Sequence, residues 1–181
     1  IGNKHADFEV VPDPTLSLET AARRRDFTIN SLFWDFNTGK IIDFFGGQED
    51  LKNGIIKHID SETFVEDPLR VYRAAQFSAR FGFTIHPETI KLASSMDLSS
   101  LPPERIYEEF EKMLLMSKRP SIGLDSLDVM NVLDKYYPEI DTLKSTPQHD
   151  VYHAEGSVWN HTKMALDEAA KILDRFTAQK D

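Results

Sequence analysis

The sequence predicts a mainly α-helical protein with a small β portion towards its N-terminal end. Residues 27–36 are rich in Phe, Ile, Leu and Trp and lead through a turn at 37–40 into two isoleucines, a pattern typical of a β-hairpin. From about residue 61 onward, apolar residues recur instead with the period of amphipathic helices. Prolines and glycines fall at the ends of these periodic segments, where they start and stop helices.

Five helices are predicted over the second part of the chain. The first is the best delimited, because Asp67 precedes a proline at the first helical position and Gly82 can end the helix. Nearer the N-terminus, a strand around Phe8 and Val10 should be followed by a short helix opened by Ser17. The five helices cover about 68–81, 87–96, 103 onward, 120–135 and 157–176, with a linker over 138–147.

Composition and charge exclude several classes of protein. The chain has 181 residues, no cysteine and a formal net charge of −9. The lack of cysteine excludes a disulfide framework and thiolate metal sites, and it fits a reducing cytoplasm. The acidic balance argues against a protein that coats nucleic acid, and no apolar run approaches the roughly 20 residues that span a bilayer. Ile1 begins neither an initiator nor a signal segment, so we expect a piece of a longer protein.

Three consecutive arginines open the first unusual block, residues 23–30, with the sequence Arg-Arg-Arg-Asp-Phe-Thr-Ile-Asn. Guanidinium forks match the oxygens of phosphate groups, and a neighbouring carboxylate can orient one of them. Arg24, Arg25 and Asp26 are therefore candidates for binding a triphosphate. The alternative is a solvated surface run of like charges, which this segment by itself does not exclude.

The second unusual block covers residues 66–73, with the sequence Glu-Asp-Pro-Leu-Arg-Val-Tyr-Arg. On a helix that starts at the proline, Arg70 and Arg73 are three residues apart and share a face. Asp67 beside Arg70 would present an acceptor next to a donor, an edge that can read a base much as a complementary base does. The alternative is a helix cap plus one i,i+4 ion pair between Glu66 and Arg70, worth about 0.3–0.5 kcal/mol.

Together these blocks resemble the bacterial (class II) tRNA nucleotidyltransferase and poly(A) polymerase family, and Arg-Arg-Asp-Phe-Thr-Ile-Asn matches a block of that family residue for residue. The resemblance implies that Arg25 contacts the incoming nucleotide. It also implies that Glu66, Asp67 and Arg70 form a protein template, which selects CTP and then ATP by Watson–Crick-like hydrogen bonds. Arg73 would be the nucleotide-contacting arginine that follows the template.

Two further segments resemble blocks of the same family. Asp43 with Gly46 and Gly47 resembles the hinge between a catalytic head and a helical neck. The alternative is a Gly-Gly turn that ends the hairpin, and both can hold because a hinge needs a permissive backbone. The segment Pro-Glu-Arg-Ile around Arg105, with Glu109, resembles the block that braces the template helix. From their spacing, Arg105 and Glu109 are expected to form an i,i+4 ion pair with a structural role.

Residues 152–162 resemble the first helix of an HD domain, in which His161 would be the first metal ligand. The remaining ligands would lie beyond Asp181, so no complete metal site is expected. By helical spacing His161 lies on the flank of the apolar face, so one alternative is a buried core histidine. The other is a metal-dependent phosphohydrolase centred on His161. The doublet of His149 and Asp150 also suggests such a hydrolase, but it lies in a linker ahead of the helix and is discounted.

The resemblance implies Mg²⁺ as the cofactor, because two ions would organise the triphosphate and activate the attacking hydroxyl. No Asp-x-Asp pair precedes Arg23 in this sequence. We therefore expect the Mg²⁺ ligands to lie outside this chain, and we expect the chain alone not to catalyse.

Four parts are expected along the chain. Residues 1–60 would be the C-terminal part of a nucleotidyltransferase (palm) head, and residues 61–117 a helical neck with the base-reading helix. Residues 118–148 would be a body segment, and residues 149–181 the start of an HD-like domain. The parent protein would add nucleotides from CTP and ATP to the 3′ end of tRNA, rebuilding its CCA terminus in the cytoplasm. The alternatives are a poly(A) polymerase of the same family and a non-catalytic helical RNA-binding module. The sequence predicts no oligomeric state.

Overall fold

The computed structural model describes residues 16–148 and 156–178, with side chains described up to residue 173. Within these ranges the chain is mainly helical with two small sheets, as the sequence predicts. The strands are β1 (Phe33–Asp35), β2 (Lys40–Ile42), β3 (Ile55–Ile56) and β4 (Thr84–Ile85). The helices are α1 (Leu18–Arg23), α2 (Gly47–Asn53), α3 (Ser61–Val65), α4 (Leu69–Phe81), α5 (Pro87–Ser94), α6 (Pro103–Leu115), α7 (Ser121–Val129), α8 (Val132–Tyr136), α9 (Pro138–Asp141) and α10 (Val158–Ala178).

The predicted hairpin is confirmed in a shorter form. β1 and β2 pair antiparallel, and Trp34 lies opposite Ile41. The Asp35 carboxylate closes the turn by accepting hydrogen bonds from the Asn37 amide and the Thr38 hydroxyl. The residues before β1 do not continue the strand. They form a 3₁₀ turn over Thr28–Asn30, preceded by Phe27, whose side chain is fully buried.

Helix α4 is the centre of the hydrophobic core, and it packs against α6 and α7. Small side chains allow these helices to approach closely. A Cβ atom added to Gly123 would lie 2.3 Å from the Met113 sulfur and 3.2 Å from the Ala79 Cβ, so a larger residue there would force the Met113 side chain to move. The close packing fixes α4, whose first turn carries the second arginine block.

The ends of α4 match the sequence signals closely. The helix begins at Leu69, one residue after the predicted start, and the Asp67 carboxylate still caps it by accepting the Leu69 amide at 3.2 Å. Gly82 ends it in a left-handed conformation, with φ of +69°. The parallel pairing of β3 with β4 and the helix α2 were not predicted, since each is too short to show a periodic pattern.

Two predictions about the later helices are wrong in detail. The segment 120–135 is not one helix, because Asn131 adopts a φ of +57° and separates α7 from α8. The predicted linker over 138–147 contains α9 and a 3₁₀ turn over Thr142–Lys144. The strand predicted around Phe8 and Val10 lies outside the described residues.

Helix α10 confirms the last predicted helix and packs against α7. The Asp167 carboxylate accepts hydrogen bonds from the backbone amide and the hydroxyl of Ser121, at the start of α7. In the part of the chain that the structure describes, no helix is both long and apolar enough to cross a membrane.

Candidate functional site

An open cleft of about 220 Å³ lies where the first arginine block meets the start of α4. Five arginines and two aspartates supply its charged lining, so this cleft is positive although the whole chain is strongly acidic. Excess positive charge in a concave site attracts polyanions. The lining residues are Arg24, Arg25, Asp26, Asp67, Leu69, Arg70, Arg73 and Arg105.

The two blocks are therefore brought together, but the three consecutive arginines are divided. Arg24 and Arg25 are exposed and line the cleft. Arg23 belongs instead to the outer side of α1, where it pairs with Glu19 at 3.2 Å and with Asp60 at 3.5 Å. The alternative of a purely solvated charge run therefore does not describe Arg23, which is paired outside the cleft.

Asp26 is the buried anchor of the cleft. Its carboxylate accepts hydrogen bonds from the Phe27 amide at 3.2 Å, the Asn30 side-chain amide at 2.5 Å and Nε of Arg73 at 2.5 Å. Such charge-assisted bonds are stronger than neutral ones. Asp26 thereby ties the first arginine block to the second across 47 residues of sequence.

Arg73 lies between two buried carboxylates. One of its terminal nitrogens is 3.8 Å from Glu109, which is only 3% exposed, and its guanidinium carbon is 5.3 Å from the centre of the Phe77 ring. Lys112 donates to the same Glu109 oxygen at 2.8 Å. About a third of the Arg73 side chain remains exposed towards solvent. The contacts with the buried groups therefore fix the orientation of the Arg73 side chain, while part of it stays accessible to solvent.

The predicted ion pair between Arg105 and Glu109 is wrong. Arg105 donates to the Asp67 carboxylate at 3.2 Å, whereas Glu109 faces Arg73 and Lys112. The physical reason is that both residues lie where α6 meets α4. A buried carboxylate requires a charged partner, and an exposed i,i+4 pair contributes too little to compete.

Arg70 also does not pair as its spacing suggests. Glu66 is exposed, and no ion pair joins these two described side chains. The Arg70 guanidinium donates instead to two backbone carbonyls, those of Thr63 and of Arg24, the latter at 2.8 Å. Asp67 and Arg70 nevertheless both line the cleft, as an acceptor and a donor of hydrogen bonds.

The segment of Asp43 and the two glycines caps α2. The Asp43 carboxylate accepts the amides of Gly47 and Gln48, both at 2.9 Å. Burial acts to raise the pKa of Asp43, but these backbone hydrogen bonds outweigh it, and the pKa lies below its ordinary value. Gly46 has a φ of +76°. At Gly47 the Thr28 carbonyl occupies the space that a Cβ atom would need.

Sequence reasoning missed several supporting residues. The Asp60 carboxylate caps α3 by accepting the amide of Thr63. The Thr63 hydroxyl donates to the carbonyl of Arg23 at 3.2 Å. His58 lies behind this segment, with Nδ1 2.7 Å from the Thr89 hydroxyl and Nε2 3.0 Å from that of Ser61. Burial lowers the pKa of His58. The capping pattern was readable from sequence, but nothing local indicated these long-range partners.

His161 lies on α10 and is exposed, so the alternative of a buried core histidine is wrong. Among the described residues, no three His, Asp or Glu side chains converge in a way that could hold a metal ion. His149 and Asp150, whose doublet was discounted, lie outside the described residues.

The cleft lies at the junction of a small β portion and a helical array, and its arginine forks have the charge and geometry that can bind phosphate groups. Family models are consistent with such a site. One described as "Poly A polymerase head domain" matches residues 3–57, and one described as "Probable RNA and SrmB-binding site of polymerase A" matches residues 82–144.

Named relatives and solved structures are consistent with these matches. The Multifunctional CCA proteins of Xylella fastidiosa (strain M23) and Acinetobacter baumannii (strain AYE) are each 42% identical to this chain, over 178 and 177 residues. Each alignment covers 94% of this chain and 42% of the relative, so the chain spans less than half of their length.

Among solved structures, the Thermotoga maritima CCA-adding enzyme complexed with tRNA is 32% identical, with a TM-score of 0.61 over 71% of this chain and 34% of that one. The Bacillus stearothermophilus CCA-adding enzyme in complex with CTP is 34% identical, with a TM-score of 0.60 over 64% of this chain and 30% of that one. The chain belongs to the family of class II tRNA nucleotidyltransferases and poly(A) polymerases.

Proposed function

We propose that this chain is part of a tRNA nucleotidyltransferase that adds nucleotides from CTP and ATP to the 3′ end of tRNA and so rebuilds its CCA terminus. The observation that carries the proposal is the arginine-lined cleft in which Asp67 and Arg70 lie beside Arg24, Arg25 and Arg73. Relatives named CCA proteins, and similar structures solved with CTP, ATP or tRNA, support it. A tRNA substrate would place the enzyme in the cytoplasm.

The arginines would bind the triphosphate. Arg24 and Arg25 are exposed in the cleft, and Arg25 directly precedes the buried Asp26. Arg73 is partly exposed and is held by Asp26 and Glu109. Preorganised guanidinium groups bind phosphate with little loss of side-chain entropy, since their geometry is already fixed.

Asp67 and Arg70 would read the base. Cytosine and adenine both present an exocyclic amino donor next to a ring-nitrogen acceptor, whereas uracil and guanine present a carbonyl acceptor next to an N–H donor. A fixed acceptor beside a donor therefore selects C and A against U and G. Arg105 would hold Asp67 for this purpose, because its guanidinium donates to both carboxylate oxygens, at 3.4 and 3.2 Å. The exposed Glu66 would flank this edge.

We also propose the domain roles. Residues 1–60 would complete the head, 61–117 form the neck, 118–148 belong to the body and 149–181 begin an HD-like domain. The helix cap formed by Asp43, together with Gly46 and Gly47, would be the hinge between head and neck.

Mg²⁺ would organise the triphosphate and activate the tRNA hydroxyl. The described residues do not fit such a site, since no cluster of three potential ligands occurs among them. The Mg²⁺ ligands would therefore have to come from outside the described residues. His161 as a metal ligand of the HD-like domain is a proposal of the same kind, since further ligands would be needed.

The test uses the full-length protein, a tRNA that lacks its CCA terminus, and each nucleoside triphosphate in turn. We expect CMP and AMP incorporation by the wild type. Asp67→Asn replaces an acceptor-only group by an amide, so preference for CTP and ATP over UTP and GTP should fall by about 1–3 kcal/mol, which is about 5-fold to 150-fold. Glu62→Gln, an exposed change on α3, is the matched control. An equal loss for all four nucleotides would contradict the base-reading assignment.

Poly(A) addition is the second candidate, because the matching family models carry the name of poly(A) polymerase. A single-stranded RNA primer with ATP alone distinguishes the two activities. Repeated AMP addition to that primer, with no CMP addition to truncated tRNA, would favour the polymerase. RNA binding without any incorporation would favour the non-catalytic module.

A further inference from the structure

The side chain of Arg70 lies between two backbone segments rather than in open space. Its two terminal nitrogens donate to the carbonyl of Thr63, in α3, and to the carbonyl of Arg24, in the first arginine block. These carbonyls are 7 and 46 residues away in sequence. One guanidinium thus connects three parts of the chain, of which one carries the exposed arginines of the cleft.

Two further contacts join the same segments. The Thr63 hydroxyl donates to the carbonyl of Arg23 at 3.2 Å, and the Arg23 side chain is 3.5 Å from Asp60. Residues 24–26 lie after the end of α1 and before the 3₁₀ turn, so they belong to neither element. The amides of Arg24 and Arg25 still bond back to carbonyls of α1, at 3.3 and 3.0 Å. The segment that contains Asp60, Thr63 and Arg70 adds the side-chain contacts that hold the carbonyls of Arg23 and Arg24.

We propose that Arg70 is a positioning residue for the phosphate-binding segment at Arg24 and Arg25, in addition to its role at the base. The inference rests on the proposed function, which makes that segment a phosphate site. Holding the carbonyl of Arg24 fixes the main chain from which both exposed side chains project. Base reading and phosphate binding are then coupled through one side chain.

The positioning is mutual, because the carbonyls also orient Arg70. A guanidinium has five N–H donors in a rigid plane, so two of them can hold carbonyls while three remain for a base. Lysine carries the same charge without this planar fork, and it cannot hold both carbonyls in the same geometry. Arg70→Lys therefore separates the effect of the fork from the effect of the charge.

The first measurement is the binding of inorganic tripolyphosphate to the full-length protein by calorimetry. This probe has no base, so a residue that only reads the base should not affect it. We expect Arg70→Lys to weaken binding about fivefold to tenfold, as loss of one ordinary hydrogen bond does. Thr63→Val, which removes the hydroxyl bond to Arg23 without any change of charge, should weaken it by a smaller factor. Asp67→Asn should not weaken it.

The second measurement needs no ligand. Trypsin cleaves after arginine in segments that open locally, so the nicking rate after Arg24 and Arg25 reports how firmly this segment is held. Arg70→Lys should increase that rate. Arg105→Lys makes the same chemical change in the same cleft. Arg105 bonds to Asp67 rather than to residues 24–26, so this variant should leave the nicking rate unchanged.

The two measurements distinguish the failure of this inference from the failure of the proposed function. Tripolyphosphate binding and nicking that both stay at wild-type values in Arg70→Lys would overturn the positioning role. A wild type that does not bind tripolyphosphate would count against the proposed phosphate site. In that case nicking decides, and an unchanged rate in Arg70→Lys overturns the inference on its own.

Discussion

Alanine at Gly47 should destabilise the fold more than alanine at Gly46, although only Gly46 has a left-handed backbone. Gly46 has a φ of +76°, but a Cβ added there would meet nothing within 4 Å. At Gly47 an added Cβ would lie 2.1 Å from the carbonyl oxygen of Thr28 and 2.9 Å from its carbonyl carbon. The obstacle is backbone, which cannot rotate away as a flexible side chain does.

The size of each effect follows from these contacts. An ordinary Cβ contact is 3.4 Å or longer, so α2 would have to move by more than 1 Å from the 3₁₀ turn. This movement would also strain the bond of 2.6 Å from the Thr28 hydroxyl to Asp50, which joins the same two elements. Overpacking costs about 1–3 kcal/mol and a bond to a charged group contributes about 1.5–3 kcal/mol, so we expect a loss of about 3 kcal/mol for Gly47→Ala. Gly46→Ala should cost about 1 kcal/mol, the strain of a left-handed residue.

Urea unfolding of the two variants measures this difference directly. In thermal unfolding, at about 2–4 °C per kcal/mol for a chain of this size, Tm should fall by about 6–12 °C for Gly47→Ala and about 2–4 °C for Gly46→Ala. Gly39→Ala, with a φ of +65° and open space in the hairpin turn, is the matched control and should resemble Gly46→Ala. Equal losses at Gly46 and Gly47, or a larger one at Gly46, would refute the reasoning from close approach.

Two further predictions concern buried groups. Burial lowers the pKa of His58 below 6.5, so the unfolded state takes up its proton first, and the free energy of unfolding should fall as pH decreases below about 6.5. His58→Gln should make this fall shallower between pH 7 and 5 in urea titrations, and identical slopes would contradict the assignment. Asp26→Asn removes the closer of the two carboxylates that Arg73 contacts, and the only carboxylate bonded to Asn30 among the described residues. It should destabilise the protein by about 2 kcal/mol, discounted for the partial exposure of Arg73. A loss below about 0.5 kcal/mol would show that Asp26 is not an anchor.

The helix boundaries could be predicted where the signal is local. Gly82 and the proline that precedes α4 act on their own neighbours, so the ends of that helix follow from local sequence to within a residue. Asn131 also carried a signal, since asparagine tolerates a positive φ better than most residues, but the apolar pattern across it was continuous and hid the break. Short elements such as α2 lacked enough turns for any period to show.

The members of the cleft could be predicted from their residue types, but their pairing could not. Spacing suggested bonds from Glu66 to Arg70 and from Arg105 to Glu109, and neither forms. An i,i+4 pair on a surface contributes only a few tenths of a kcal/mol, so tertiary partners easily displace it. The long-range partners of Arg70 and Arg105, 46 and 38 residues away, become neighbours only after α4 packs on α6 and beside the first block.

Two buried carboxylates orient the side chain of Arg73, and their burial costs free energy of folding. Asp26 and Glu109 are 6% and 3% exposed, and removing carboxylates from water to this extent is costly even when an arginine pairs with them. One oxygen of Glu109 has no hydrogen-bond partner among the described residues, so the desolvation is not fully compensated. Apolar residues of similar volume would often be as stable at such positions. We therefore infer that the two carboxylates contribute geometry rather than stability, because they hold a partly exposed guanidinium in one orientation at the edge of the cleft.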